Sequence, residues 1–410
     1  MSQFQPFIAG HEELIHDLNY DFYGKRIVTC SSDQYIKVFD KKNTPLLSAP
    51  NTTENGEENS EPEWKLCDSW KAHDSSIVKV VWANPEFGQV IASCSYDATV
   101  RVFEEDPREP FESGRRWKKC ATITDFHGAV YDIAFAPSHM GLKLASIDSE
   151  GIFHIHEAPN PNNLRFWTPL MPEEALVTKQ ASKNRQSSFS LSWCPSMFFK
   201  EYIAVSAQDS AYIYHRSPGM GSFKRVAELP DCKSMIRSIS WAPSMGRGFQ
   251  LIATGSNDGQ IRIYRVIKTK SQSGQSSQQQ QVSQSVPQQG QQGQPGQPAQ
   301  HFDSMDIDSG LDSMASSTQG TITGSTGGSS DSPVTATLAA AFQGHDAEIW
   351  RVSWNVTGTI LASAGSDGNI KFWKSSYNHK FQCMAVVSAE QRGGNNAFDM
   401  DGNIDGYAAS

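Results

Sequence analysis

Six times along the 410 residues a short alternating segment closes on an aromatic side chain: IHDLNY, IVKVVW, VYDIAF, FSLSW, IRSISW and IWRVSW, ending at Tyr20, Trp82, Phe135, Trp193, Trp241 and Trp354. Each is followed by a loop and a run of small and β-branched residues: IVTCSS, VIASCS, KLASID, YIAVSA, LIATGS and ILASAG. A polar turn comes next, and then a second alternating run: YIKVF, TVRVF, IFHIH, AYIYH, QIRIY and NIKFW. Alternation with a period of two, broken by turn residues, specifies antiparallel strands, because successive strand side chains point to opposite faces. One such unit cannot bury its apolar surface alone, so the copies must pack on one another.

Between the triplets lies a fourth strand, placed at WKLCDSWKA, RRWKKCATI, LRFWTPL, SFKRVAELP, TATLAAAF and FQCMAVV. Four strands per unit, a Gly-His near the start and an Asp turn before an aromatic strand end predict an all-β WD-repeat β-propeller of six blades. The polar residues of the motif are expected to form a buried network tying strands together rather than a catalytic group. Blade six holds the fullest set, His345, Ser363, Asp367 and Trp373. Blade one offers His11, Thr29 and Asp33 with Phe39 in place of Trp, and blade two His73, Ser93 and Asp97 with Phe103. Blade three has Glu150 where the turn Asp belongs. Blades four and five lack the His, with Cys232 near its place in blade five and Asp258 in the turn.

This count leaves one segment over, QFQPFIA at residues 3–9. A closed propeller would use it as the outer strand of the last blade and stop after the last triplet, leaving residues 379–390 as a tail. This chain instead continues into FQCMAVV, which is apolar enough to require burial. The expectation is an open ring completed in trans by a three-stranded blade from a partner through β-augmentation. Phe4, Phe7 and Ile8 would pair with that blade, and Ile36, Val38, Ile370 and Phe372 would form the walls of the gap. Pro6 suits an outermost strand, where a missing N–H is tolerated.

Composition narrows the function. A net charge of −9 without a basic stripe argues against direct nucleic-acid binding. Seven cysteines without a CxxC pair fit core thiols in a reducing compartment. No apolar run reaches the length of a transmembrane segment, and no secretory leader is evident. The segment 268–335, dominated by Gln, Ser and Gly, and the acidic segment 43–63 are expected to be disordered insertions in a single propeller spanning 1–392, with 393–410 a disordered tail. Both insertions fall between third and fourth strands and so emerge on one face of the ring.

His11 and His16 are five apart, unlike the zinc-protease spacing, and His154 and His156 share a strand face without a third ligand. Phosphate-binding and nucleophile-elbow motifs are missing. No enzyme activity, metal or cofactor is expected.

Several stretches lie outside the generic repeat: NPEFGQVIASCSYD (84–97), FAPSHMGLKLAS (135–146), GIFHIHEAP (151–159), APSMGRGFQLIAT (242–254) and IWRVSWNVTGTILASAGSDG (349–368). On these the chain resembles the Seh-type WD-repeat nucleoporins of the Y-shaped nuclear-pore scaffold complex. HEELIHDLNYDFYGKRIVTCSSDQYIKVFD (11–40) is also similar to the related vesicle-coat propeller. The resemblance implies a structural subunit at the nuclear envelope that supports nucleocytoplasmic transport. Its partners would be an α-helical scaffold nucleoporin donating the missing blade and other Y-complex nucleoporins. A coat-like nutrient-signalling complex at the vacuole or lysosome is implied as a second assembly. The alternatives are a vesicle-coat subunit, which HMGLKLAS and NVTGTILAS disfavour, and a closed peptide-binding adapter, which would need an Arg/Lys cluster at its loops.

Overall fold

The structure is a computed structural model that describes residues 8–41, 64–170, 177, 188–216, 222–268, 334–376 and 380–388. These form six four-stranded antiparallel sheets, each a meander in chain order. Blade one comprises β1 (Ile15–Tyr20), β2 (Arg26–Ser31), β3 (Tyr35–Lys41) and β4 (Trp64–Lys71). Blade two comprises β5 (Ile77–Trp82), β6 (Val90–Ser95), β7 (Val100–Glu105) and β8 (Trp117–Ile123). Blade three is β9 (Val130–Phe135), β10 (Lys143–Asp148), β11 (Phe153–Glu157) and β12 (Thr168–Pro169), and blade four is β13 (Phe189–Trp193), β14 (Tyr202–Ala207), β15 (Ser210–His215) and β16 (Lys224–Glu228). Blade five is β17 (Ile236–Trp241), β18 (Gln250–Ser256), β19 (Gln260–Lys268) and β20 (Val334–Gln343). Blade six is β21 (Ile349–Trp354), β22 (Ile360–Gly365), β23 (Asn369–Ser375) and β24 (Phe381–Ser388).

The six aromatics end the six inner strands, as the repeat predicts. The turn between second and third strands places a residue at positive φ directly after the acidic position: Gln34, Ala98, Gly151, Gly259 and Gly368. At Gly259 the requirement is double, since a Cβ there would sit 2.3 Å from the His345 carbonyl oxygen. A bulge recurs where the third strand meets the fourth, at Val38/Phe39, Val102/Phe103, Ile213/Tyr214, Ile263/Tyr264 and Phe372/Trp373. Such bulges raise the local twist that lets blades nest face to face.

Most buried apolar side chains of the described residues fall into five clusters, one for each of the junctions from one–two to five–six, while Ile27 and Phe39 of blade one are buried outside them. Among the described residues no such cluster joins blade six to blade one. Successive inner strands pack on one another from β1 to β21, whereas β21 and β1 do not pack side by side in this way.

Several expectations change in detail. The fourth strand of blade three shrinks to Thr168–Pro169. β19 runs through Lys268 and β20 begins at Val334, so the long insertion is shorter than 268–335. The interior of that insertion, segment 43–63 and tail 393–410 lie outside the described residues, as do residues 3–7 of the leading segment. Ile8 and Ala9 are described and carry no strand. The outer edge of blade six is β24, which pairs with β23 from Asn369↔Ser388 to Ser375↔Phe381.

Candidate functional site: the facing surfaces of the last and first blades

Each blade turns one face forward round the ring and the other back. On the forward face, the middle of the second strand pairs with the middle of the third: Val28↔Val38, Ala92↔Val102, Ala145↔Ile155, Ala204↔Ile213, Ala253↔Ile263 and Ala362↔Phe372. In blades one to five these pairs are buried against the next blade. In blade six Ala362 and Phe372 are only half-buried, and Ile370, which pairs with Ala364, is 43% exposed. The back face of the same blade is closed: Val352, Leu361 and Trp373 pack with Ile261 and Ile263 of blade five. Blade six therefore has one packed face and one bare one, and the bare face is apolar.

The same rule corrects two expected wall residues. Ile36 and Val38 occupy the repeat positions of Ile370 and Phe372, so they also face forward, into the core with blade two, and both are fully buried. The back face of blade one carries Leu18, Tyr20, Ile27, Thr29 and Phe39. Ile27, Thr29 and Phe39 are buried, but the inner-strand residues are not: Leu18 is 38% and Tyr20 54% exposed. Ile8 is largely exposed, and Phe4 and Phe7 lie outside the described residues.

Three of the closing aromatics also tie their blades to the one before. Trp82, Trp193 and Trp354 each donate an indole N–H back to the preceding blade, to the carbonyls of Asn19 at 3.2 Å, Ala134 at 3.0 Å and Ser240 at 3.3 Å. Trp241 instead donates to Gln250 of its own blade at 3.4 Å, and Tyr20, at the same position in blade one, meets Trp64 edge-on at 6.1 Å. Between β1 and β21 lies a cleft of about 490 Å³ lined by those two strands alone, including Leu18, Tyr20, Arg351 and Ser353. Among the described residues one ion pair crosses it, from Arg351 of β21 to Asp17 of β1.

The polar network is structural throughout. In blade six the Trp373 indole donates to Ser363 Oγ at 2.8 Å, Ser363 lies 2.7 Å from His345 Nε2, and His345 Nδ1 lies 2.9 Å from Asp367. With an ionised Asp367 accepting from Nδ1–H, Nε2 accepts from the serine hydroxyl. Blade two repeats this with His73, Asp97 at 2.9 Å and Ser93 at 2.8 Å, and blade one with His11, Asp33 at 2.7 Å and Thr29 at 2.9 Å.

In blade three it is Asp148, not Glu150, that serves as the turn acceptor. It takes the N–H groups of His127, Glu150 and Ile152 and pairs with His154 at 3.4 Å. His156 pairs instead with Asp125 at 3.0 Å, and no cluster suited to a metal occurs among the described residues.

Sequence reasoning missed a cation four residues after the turn acid. Lys37, Arg101 and Lys371 each bond the carbonyl just before the network histidine, at Gly10, Ala72 and Gly344. In blade five, which lacks the histidine, Arg262 turns inward to Ser256 and Asp258, the latter at 2.7 Å. The Asp-x3-Lys/Arg spacing, present in four blades, was the available signal.

These networks set an acid response. Burial is the largest influence on His11 and His73 and holds both below the ordinary 6.5, despite the opposing pull of Asp33 and Asp97. For Asp33, Asp97 and Asp367 burial pushes the carboxyl up, but hydrogen bonds, those from the histidines among them, prevail and hold it below 3.8. Both shifts have one sign, because the unfolded chain takes up protons that the folded one refuses. Stability present above pH 6.5 should fall as His11 and His73 titrate in the unfolded chain, and fall again below pH 4 as the carboxylates follow. Thermal unfolding from pH 7.5 to 3.5 checks this, and a higher Tm at pH 5 than at pH 7.5 would contradict it.

Comparison with known proteins agrees with the geometry. The WD domain, G-beta repeat family matches residues 2–40, 64–104, 223–265 and 336–374. The solved structure of Chaetomium thermophilum Sqt1 bound to the N-terminus of the ribosomal protein L10 shares the fold, with a TM-score of 0.54, 16% identity and coverage of 93% of this chain and 76% of that one. Nucleoporin SEH1 of Saccharomyces cerevisiae is 44% identical over 390 residues, covering 94% of this chain and 100% of the yeast protein. Nucleoporin seh1 of Schizosaccharomyces pombe is 37% identical over 385 residues, 94% of this chain and 96% of its own. Nucleoporin SEH1 of Homo sapiens is 30% identical over 391 residues, 92% of this chain and 86% of its own. The chain belongs to the SEH1 family of nucleoporins.

Proposed function

We propose that this chain is a structural scaffold subunit of the nuclear pore that receives, between blades six and one, a three-stranded blade donated by an α-helical scaffold nucleoporin. The observation that carries the reading is the bare forward face of blade six, where Ile370 and Phe372 lack the neighbour that buries their counterparts in the five other blades. An apolar sheet face and an inner strand left uncovered favour association. A face-packed blade would bury an area on the order of 2,000 Å² or more, the size class of obligate partners.

Phe4, Phe7 and Ile8 would supply the outer strand of the mixed blade, giving the donated strands a fourth. Other nucleoporins of the Y-shaped complex would then be neighbours in the lattice. The coat-like assembly at the vacuole or lysosome is part of the same proposal: one gap holds one blade, so each copy of the chain serves one host at a time. The family is structural, and the chain is not an enzyme.

The test is reconstitution with the N-terminal region of an α-helical scaffold nucleoporin. Alone, the chain should self-associate with rising concentration; with the donor it should run as a monodisperse one-to-one complex. Deleting the donor's three-stranded segment should abolish that complex. Binding that survives the deletion would refute the reading.

A further inference from the structure

Round the axis, the residue three positions before each closing aromatic forms a ring: Asp17, Lys79, Asp132, Ser190, Ser238 and Arg351. Each reaches the next inner strand. Asp17 accepts the Val80 N–H at 3.4 Å, Ser190 that of Ile239 at 3.3 Å, and Ser238 that of Val352 at 3.2 Å. Where the residue is a cation, the pattern becomes a relay. Lys79 donates to one oxygen of Asp132, whose other oxygen accepts the Leu191 N–H at 2.8 Å. Side chains at this level therefore pass one contact per blade, and a lysine is followed by an aspartate.

Arg351 is the second cation of the ring, and it stands at the lip of the gap. It donates to Asp17, but that contact differs from the Lys79–Asp132 pair. Lys79 lies over a packed apolar junction with its side chain 21% exposed, whereas the Arg351 side chain is 50% exposed and spans a cleft. The N–H at the relay position of blade one belongs to Leu18, two before Tyr20; like the Ile133 N–H that follows Lys79, it has no side-chain acceptor among the described residues. Asp17 gives one oxygen to Arg351 and turns the other to the Val80 N–H of the following blade. An inner strand inserted at this height would separate Arg351 from Asp17 and leave the guanidinium without its carboxylate.

Resting on the blade-donation reading above, we infer that the donated blade carries an aspartate or glutamate at the middle of its innermost strand. One of its oxygens takes the Arg351 guanidinium and the other the Leu18 N–H, reproducing the Lys79–Asp132–Leu191 relay. The Arg351–Asp17 pair is the form this contact takes in the free ring, and insertion exchanges Asp17 for the donor's carboxylate. A desolvated charge pair of this kind selects among donors, because a blade with a neutral or basic residue there would leave Arg351 buried and unpaired.

The experiment uses the full chain and the donor fragment that gives the one-to-one complex above, with affinity measured by titration. Arg351→Glu should weaken binding about thirtyfold or more, and reversing the donor carboxylate to arginine should restore much of the loss. Arg351→Met, which removes the charge without setting a second acid against Asp17, should cost about tenfold and decides the matter if the glutamate variant does not fold. Asp17→Asn keeps an acceptor for Val80 and frees Arg351, so it should tighten binding severalfold. The inference falls if the wild-type complex forms and Arg351→Met binds as tightly, if Asp17→Asn weakens binding as much as the Arg351 changes do, or if the donor's inner strand has no carboxylate. If the wild-type chain accepts no three-stranded donor at all, the blade-donation reading fails first, and that outcome is distinct from these.

Discussion

Placing two charges on the bare face of blade six, by Ile370→Asp together with Phe372→Asp, is expected to leave the isolated ring folded while cutting donor binding a hundredfold or more. The first half follows from exposure. Ile370 is exposed and Phe372 half-buried in the free chain, so the pair should cost the isolated ring about 1 kcal/mol, too little to unfold it. The second half follows from where the pair sits. Apolar anchors at the centre of a packed interface each carry about 2 kcal/mol or more, and a carboxylate sealed beneath the donated blade would add its own desolvation cost. Circular dichroism with a binding titration separates the two. The matched change in blade one, Ile36→Asp with Val38→Asp, should do the reverse and unfold the ring, since those residues lie in the core with blade two.

The second large effect concerns the back face of the same blade. Trp373→Ala removes a buried indole packed on Phe342 and takes away the donor to Ser363. The loss should be about 3–5 kcal/mol, a fall in Tm of about 10 °C. Trp373→Phe keeps most of the packing and forfeits one hydrogen bond, about 1 kcal/mol. Blades one and two already hold phenylalanine there, at Phe39 and Phe103, with their histidine networks intact. Equal losses from both substitutions would place the whole effect on the indole N–H and contradict the packing account.

Much of this architecture could be read from residues alone, for an identifiable reason. Strand alternation, turn acids and closing aromatics are local signals, so all six blades and all four strands of each could be located before any contact was known. Which face of a strand meets which neighbour is not local. Blade one is apolar on both faces, with Val28 and Val38 on one and Ile27 and Phe39 on the other, so its pattern names no solvent side. The shared phase of blades one and six suggests from sequence that Ile36 faces Ile370. The rotation of identical blades about an axis puts them a whole blade thickness apart.

Asp148 shows a second limit. A turn acid two residues early can reach the same N–H groups, so function followed geometry rather than column position. The central relay was illegible for a third reason: Asp17, Lys79, Asp132 and Arg351 meet only after the ring curls, at separations of 53 residues and more. Six equal spacings before an aromatic hinted at it, without saying that the positions touch.

The most direct measurement is site-resolved thiol labelling of Ile370→Cys, followed by mass spectrometry with and without the donor fragment. The account predicts rapid reaction in the isolated chain and protection at one equivalent of donor. A cysteine already shielded in the isolated chain would mean the ring covers its own sixth blade, and one still reactive in the complex would mean the partner binds elsewhere; either result contradicts a gap filled from outside.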